Sequence, residues 1–471
     1  MAYIKFHRGS HQIGGSCTEL CCGNERILID LGANLPGTDE EVPISDEELI
    51  KTVFDGKTEY AALLFTHYHG DHYGLYKNIP RDMPIYSDIP MYIGKTAKDI
   101  LGIVTEYIDM NAKVKGGKLI DSLKTYTPDL PLDIKGINNI KIIPVQADHS
   151  ALDAYMFYIE MAGKKILYTG DFRAHGISSE QDAFWDYIKS GVIPSDIDIL
   201  ITEGTMLSRG KETKQNPIST EDELGKAAAE HFKERPYNFI MVSSTNLDSI
   251  MEFYHNTPDG VPFVCDIYQY RIISKAMQGE GNRNEKYRPK VRGNNWSDPI
   301  CVLFEGPNRK IGEVIEDNNR HGLKLFATRV GADDDYEKIK DGFVMLVRPN
   351  HYPETGKNRF EKALDFFANK DENKVRVIYS MWEGYLKGKA KEDPAVTEFI
   401  GSHEMKQLHV SGHAYPEDIK RLIDAVNPKM IIPMHTEMAD EMQKMDIFKN
   451  YNIKTLKDGE NILDLNEMEV R

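Results

Sequence analysis

The sequence predicts an α/β chain whose functional groups lie at the carboxyl ends of strands. Three observations carry that expectation. Several short, branched apolar runs are each followed at once by a metal-ligating residue type. One of the loops they lead into, His67-Tyr68-His69-Gly70-Asp71-His72, holds four such residues in six positions. A middle stretch of the chain alternates helix-like and strand-like segments of its own.

The elements justify themselves in order. Residues 61–66 (AALLFT) form an apolar run of strand length, and the histidine-rich loop leaves its end. Residues 140–146 (IKIIPVQ) run into Ala147-Asp148-His149-Ser150. Residues 165–169 (KILYT) run into Gly170-Asp171, and residues 430–434 (MIIPM) into His435. In open α/β sheets, sites lie outside the carboxyl ends of the strands. Four ligand sets at four strand ends therefore point to one convergent site. Alone, His149 or His435 would read as a core or capping histidine. Beside the first loop they read as ligands.

Neutral imidazole nitrogen and carboxylate oxygen are the usual ligands of catalytic zinc. His67, His69, His72, His149, His435, Asp71 and Asp171 are too many for one tetrahedral ion with an open position. They divide into His67, His69 and His149 on one ion and Asp71, His72 and His435 on a second, with Asp171 between them. Two divalent ions are expected, zinc by ligand type, with manganese as the alternative. Asp30 is expected to brace the ligand loop through a hydrogen bond.

Bulk properties narrow the class. The chain has 471 residues, 41% of them hydrophobic, with no apolar run near membrane-spanning length. MAYIKFHRGS lacks the apolar core of a secretory signal. A cytoplasmic protein with no membrane contact is expected. Five cysteines fit no disulfide or metal framework, and adjacent Cys21 and Cys22 should face opposite sides of a strand. A net charge of −16 argues against a general nucleic-acid coat, though not against a local basic groove. Residues 271–292 carry seven Lys or Arg against two Glu. They are read either as a solvated surface or as a phosphate-tracking rim helped by Tyr268, Tyr270 and Tyr287. The acidic stretch 38–48 reads as a surface loop with a helix start, and 281–295 as the best loop.

The motifs, in their order, resemble the metallo-β-lactamase superfamily. HYHGDH, then His149, the TGD ending in Asp171, and the late His435 match its ligand motifs. Gly14-Gly15-Ser16-Cys17 and residues 27–30 (ILID) are similar to its opening strands. Residues 199–205 (ILITEGT) resemble motif A of the β-CASP nucleases, with Glu203 as the acid. Residues 409–413 (HVSGH) resemble motif B, with His413 as its functional member, and His435 falls 22 residues later. DHSALDA (148–154) and TGDFR (169–173) are similar to the ribonuclease J branch. The final histidine and the glutamate of motif A match the RNA-acting rather than the DNA-acting members.

The resemblance implies an αββα metallo-β-lactamase fold with an inserted β-CASP α/β domain. Residues 1–206 and 376–471 would form the first domain, the return beginning with the strand-like 375–379 (VRVIY), and 207–375 the insert. The insert's expected alternation is helix 221–235, strand 239–242, helix 247–255 and strand 261–265. The chain would close on its last strands near 450–465, without the further C-terminal domain usual in ribonuclease J. Ser243, Ser244 and Thr245 fall where the family holds a substrate phosphate. Threonine there replaces the usual serine, and Leu247-Asp248 replaces a basic pair that often follows. An insert facing a metal site would make a cleft that admits a single strand.

The implied chemistry is phosphodiester hydrolysis by a hydroxide shared between two metals. His413 would donate the leaving-group proton, and Glu203 would orient it. Asp71 and Asp171 would act within the catalytic centre as well as ligate. His409, Ser411, Arg173 and Arg209 are candidate phosphate contacts, each also readable as an ordinary structural residue. The expected partner is RNA, single-stranded, with DNA less favoured; a homo-oligomer is compatible with the sequence. Two rivals are a metallohydrolase of small esters, thioesters or lactones, and a non-catalytic RNA-binding subunit. The first leaves the insert and HVSGH without a purpose. The second should have eroded ligands, and here all seven are present.

Overall fold

The structure is a computed structural model. It describes residues 1–36, 42–109, 117–209, 218–279, 285–288, 300–304, 325–329, 336–337, 339–349, 356–386, 393–467 and 469–470. The chain forms two compact units. One comprises Met1–Gln215 with Gly412–Arg471, and the other Asn216–Ser411.

The first unit begins with β1 (Ala2–Arg8), β2 (Cys17–Cys22), β3 (Glu25–Ile29), β4 (Ala62–Leu64), β5 (Met91–Ile93) and β6 (Lys124–Thr125). It continues through β7 (Ile140–Ala147), β8 (Ala154–Met161), β9 (Lys164–Tyr168) and β10 (Ile199–Glu203). The second unit holds β11 (Tyr237–Met241), β12 (Phe263–Asp266), β13 (Ile300–Phe304), β14 (Leu325–Arg329), β15 (Phe343–Val347), β16 (Val375–Tyr379) and β17 (Met405–Gln407). The chain then returns with β18 (Met430–Met434), β19 (Ile462–Asp464) and β20 (Glu469–Val470).

In the first unit, one sheet has the order β20-β19-β1-β2-β3-β4-β5-β6 and the other β18-β10-β9-β8-β7. Their inner faces share one core. Ile4, Leu20, Ile27, Ile29 and Leu64 from the first sheet pack with Ile142, Phe157, Ile159, Ile166, Ile201 and Ile432 from the second. Alternation along the strands puts Val145, Met156, Leu167, Leu200 and Ile431 on the second sheet's outer face. There they pack against Ile419, Leu422, Ile423 and Val426 of helix Pro416–Val426 and against Phe184 and Trp185. Sheet, sheet and helix are three successive layers of the αββα arrangement.

Strand direction positions the site. β9, β10 and β18 are mutually parallel, and β7 runs the same way because it and β9 are both antiparallel to β8. β3 and β4 are parallel in the other sheet. The carboxyl ends of β3, β4, β7, β9, β10 and β18 therefore deliver Asp30, His67, His149, Asp171, Glu203 and His435. The two edges meet where the Tyr155 N–H donates to the Thr66 carbonyl at 2.9 Å.

The second unit is a single parallel sheet of order β14-β13-β12-β15-β11-β16-β17. Helices Glu221–Glu234 and Leu247–Asn256 flank β11 in sequence, close to the expected alternation. The run at 375–379 departs from expectation. It does not open the return to the first unit; it pairs with β11 as β16, and the crossing back comes after Ser411. A short branched apolar run reports burial in a sheet but not which sheet.

The basic stretch also departs from its functional reading. Tyr270 and Tyr287 are buried, and the Tyr287 hydroxyl donates to Asp248. Lys286 pairs with buried Glu252, Arg348 lies over the Tyr268 ring, and Arg288 donates to the Met277 carbonyl. Tyr270, Tyr287 and Lys286 are thus engaged inside this unit, while Tyr268 is half-buried beside Arg348. Lys290, Arg292 and most of 281–295 lie outside the described residues, as do 38–41 of the acidic stretch. Its remainder contains Ser45, which caps helix Asp46–Val53 by accepting from the Glu48 N–H.

Gly170 lies at φ +53°, and a Cβ there would sit 2.7 Å from Thr66 Cγ2. Gly163 has φ +73° with nothing within 4 Å of such an atom. Gly163→Ala should cost about 1–2 kcal/mol of unfolding free energy for the left-handed backbone. Gly170→Ala should cost about 1–3 kcal/mol more for the overlap. Chemical denaturation of both variants checks this, and equal costs would show that the Gly170 contact is slack.

Candidate metal centre

The histidine loop is held from below. The Ser16 N–H donates to the Asp71 carbonyl at 3.0 Å, Leu31 N–H to that of His72 at 2.8 Å, and Ala33 N–H to that of Gly70 at 3.0 Å. Arg8 is fully buried and ties the neighbouring turns together. Its Nε donates to the Gly15 carbonyl at 2.9 Å, its guanidinium reaches the Gly32 and Ile44 carbonyls, and Asp46 lies 2.9 Å away.

Side-chain hydrogen bonds then orient the rings. His72 Nδ1 is 2.8 Å from Asp30 Oδ2, so it donates there and turns Nε2 inward. Thr66 donates its single hydroxyl proton to Asp30 and lies 3.0 Å from His67 Nδ1. Its oxygen must therefore accept from His67, and His67 Nε2 also keeps its lone pair for the centre. Asp30 and His435 have left-handed backbones, at φ 61° and 52°. Such conformations are costly outside glycine and cluster at functional sites.

The inward atoms converge. His67, His69 and His149 form one group whose ligand atoms lie within 4.8 Å of one another; Asp71, His72 and His435 form another. Asp171 joins His67 and His72 in a third, and Glu203, His413 and His435 in a fourth. His67 Nε2, His72 Nε2, His149 Nδ1 and Asp171 Oδ1 are buried with no hydrogen-bond partner.

Two contacts set acceptor against acceptor. His72 Nε2 lies 3.2 Å from Asp171 Oδ2, and His435 Nε2 lies 3.3 Å from Asp71 Oδ2. Lone pairs facing carboxylate oxygens at such distances require a cation or a proton between them. The donor set, imidazole with carboxylate, fits divalent metal.

At His67, His69 and His149 the electrostatics agree with that fit. Burial, reinforced by neighbouring imidazoles, pushes His67 and His149 well below the usual histidine range. Burial takes His69 down to about 4, against the pull of Asp71 and Asp171. These rings are neutral and ready to ligate. For His72 the cost of burial is outweighed by Asp171 and Asp30, which push it well above its ordinary value. Burial would raise Asp171, but His435, His72 and His413 hold it well below the carboxylate range.

His413 and Glu203 lie beside this cluster. His413 Nδ1 is 3.1 Å from Glu203 Oε2 and 3.6 Å from Asp171 Oδ2. Burial would lower the His413 pKa, yet the two carboxylates together raise it. Glu203 is fully buried and accepts from the backbone N–H groups of Phe172, Thr205 and Ala414.

The other sequence candidates are more dispersed. Arg173 is fully buried 3.5 Å from Asp148, which leaves no exposed surface to receive a phosphate. Its side chain sits inside the loop rather than on it, a fact no spacing could reveal. Arg209 ends helix Thr205–Arg209 and is half-buried. Ser243, Ser244 and Thr245 follow β11 in the second unit, where Ser243 Oγ and Thr245 Oγ1 are 3.0 Å apart and Ser244 Oγ is buried without a partner. His409 and Ser411 follow β17 in the same unit. The sequence reading overlooked Arg8, Thr66 and Thr205. A threonine directly before the first ligand was the one available hint, at Thr66.

Comparison with known proteins adds to this geometry. Residues 402–453 match the family described as the Zn-dependent metallo-hydrolase RNA specificity domain. An RNase J-like protein of Methanocaldococcus jannaschii is 31% identical over 216 residues, covering 44% of this chain and 43% of that protein. Probable RNase MJ4 of the same organism is 25% identical over 484 residues, covering 98% and 99%. The chain spans 27% to 55% of the length of the first curated relatives it matches. A crystal structure of a protein of unknown function from Enterococcus faecalis V583 shares the fold, with a TM-score of 0.66 at 18% identity, covering 98% of this chain and 99% of that one.

The sandwich, the candidate ligands at its strand ends and the second unit's parallel sheet make up the metallo-β-lactamase fold with an inserted domain. Within that fold, the chain is similar to RNA-acting metallo-hydrolases: residues 402–453 match their RNA specificity domain, and its relatives include proteins named as RNases. No helix among the described residues is long and apolar enough to cross a membrane.

Asp30→Asn removes the charge that fixes His72. Loss of such a partner typically costs about 10- to 100-fold in metal affinity. Zinc titration against a competing chelator should show that loss in a folded protein. Unchanged affinity would reduce Asp30 to a brace for the loop.

Proposed function

We propose that this chain is a metal-dependent ribonuclease that hydrolyses RNA phosphodiester bonds in RNA processing or decay, acting in the cytoplasm on single-stranded substrate. The observation that carries this reading is a raised-pKa histidine, His413, held by Glu203 at the edge of an imidazole–carboxylate cluster. Small-ester chemistry has little need of a proton donor at that place, whereas an RNA sugar oxygen is a poor leaving group. The RNA specificity family matched by 402–453 includes both His413 and His435, and the relatives named as RNases support the substrate class.

On this reading, His67, His69 and His149 would hold one divalent ion and Asp71, His72 and His435 a second, with Asp171 lying between the two sets. Zinc suits the ligands, with manganese as the alternative. Such a pair supplies an activated water and polarises a phosphoryl oxygen. His413 keeps Nδ1–H on Glu203 and presents a proton at Nε2 to the departing sugar oxygen. Glu203 stays in place because three backbone N–H groups hold it. Ser243, Ser244, Thr245, His409 and Ser411 are proposed contacts to substrate phosphates.

Elemental analysis of the purified protein should approach two metal ions per chain, and RNA should be cut in preference to DNA of the same sequence. Ester hydrolysis without nuclease activity would overturn the reading. His413→Ala should keep both metals while losing about 10²- to 10⁴-fold in turnover. The loss should shrink on a nitrophenyl phosphodiester, whose leaving group departs without a proton. Equal losses on both substrates would remove His413 from the acid role.

A further inference from the structure

The last proposed ligand, His435, is oriented by a residue that belongs to no ligand set. Thr205 is fully buried at the start of helix Thr205–Arg209, two residues after Glu203. Its Oγ1 lies 3.2 Å from the His435 carbonyl oxygen and 2.8 Å from His435 Nδ1. A hydroxyl has one proton, and a carbonyl can only accept. Once the proton is given to the carbonyl, Oγ1 must accept from the ring, so Nδ1 carries the hydrogen.

The opposite side of the ring requires the same tautomer. The Gly14 N–H points at His435 Nε2 from 3.0 Å, which requires a lone pair there. Asp71 Oδ2 lies 3.3 Å from the same nitrogen, in the same candidate ligand group. The His435 backbone is also fixed, with its N–H on the Gly9 carbonyl at 2.6 Å. The ring can therefore neither flip nor swap its tautomer without breaking contacts on both sides.

We infer that Thr205 is a positioning residue that locks His435 as the Nδ1–H tautomer and aims the Nε2 lone pair at the Asp71 side of the metal centre. Thr66 does the same for His67, so one threonine serves a ligand in each triad. The inference rests on the metal-centre reading above. It makes the helix that follows Glu203 part of the metal site: the same turn carries the acid facing His413 and the hydroxyl facing His435.

The test is a tautomer and affinity measurement, independent of nuclease activity. Long-range ¹H–¹⁵N correlation on labelled protein, with His435 assigned by His435→Gln, should show His435 protonated at Nδ1. Thr205→Val keeps the shape and removes the hydroxyl. It should lower zinc affinity at one site by about 10- to 100-fold, measured by chelator competition, and leave the other site unchanged. Thr205→Ser should restore affinity to within a few-fold. An Nε2–H tautomer in the unaltered protein would overturn the inference whatever the variants do. So would full affinity in Thr205→Val, or equal losses in the Val and Ser variants. A chain that binds no zinc at all would instead defeat the metal-centre reading, while the tautomer measurement would still judge Thr205.

Discussion

The structure depends on one electrostatic constraint: seven acceptors, five of them buried and two half-buried, converge on a space that offers them almost no donors. His72 Nε2 facing Asp171, and His435 Nε2 facing Asp71, would repel across about 3 Å of low-dielectric interior. Such an arrangement persists only where the surrounding structure over-determines it. Much of the first unit serves this end. The sandwich core fixes the strands, and parallel neighbours bring their carboxyl ends to one edge. The left-handed backbones at Asp30 and His435 turn the chain sharply as it leaves β3 and β18.

The hydrogen bonds just outside the cluster do a second job. Each imidazole has two nitrogens, and only one tautomer points a lone pair inward. Asp30 settles the choice for His72, Thr66 for His67, and Thr205 with Gly14 for His435. The outward nitrogen is occupied in each case by a group that is itself satisfied elsewhere. His413 differs in position. It lies outside both triads, with Nδ1 on Glu203 at 3.1 Å.

The second unit shows another use of buried charge. Asp248, Glu252 and Asp266 are buried, and each is met by a partner from a distant segment: Tyr287, Lys286 and Arg348. A sequence rich in Lys and Arg here reads as a nucleic-acid surface, but part of that charge neutralises the protein's own carboxylates. The same lesson holds for Arg173, which is absorbed by Asp148.

By itself, the sequence determined the α/β class, the strand-end placement of the ligands, the inserted parallel sheet and the identity of the clustered residues. Those are legible because strand burial leaves a two-residue period, and because ligand chemistry needs rare residue types at close spacing. The sequence could also name Asp30 as a support, since it ends a strand as the ligands do. It could not say that 375–379 belongs to the second unit's sheet, because a branched apolar run buries equally well in either. Nor could it show that Arg8, Thr66 and Thr205 hold the site, or that Tyr287 and Arg173 are interior. Those facts depend on contacts between residues as far apart as Thr205 and His435. Only the closed sandwich brings such pairs within hydrogen-bonding distance, and it is there that the rings of His67, His72 and His435 are oriented.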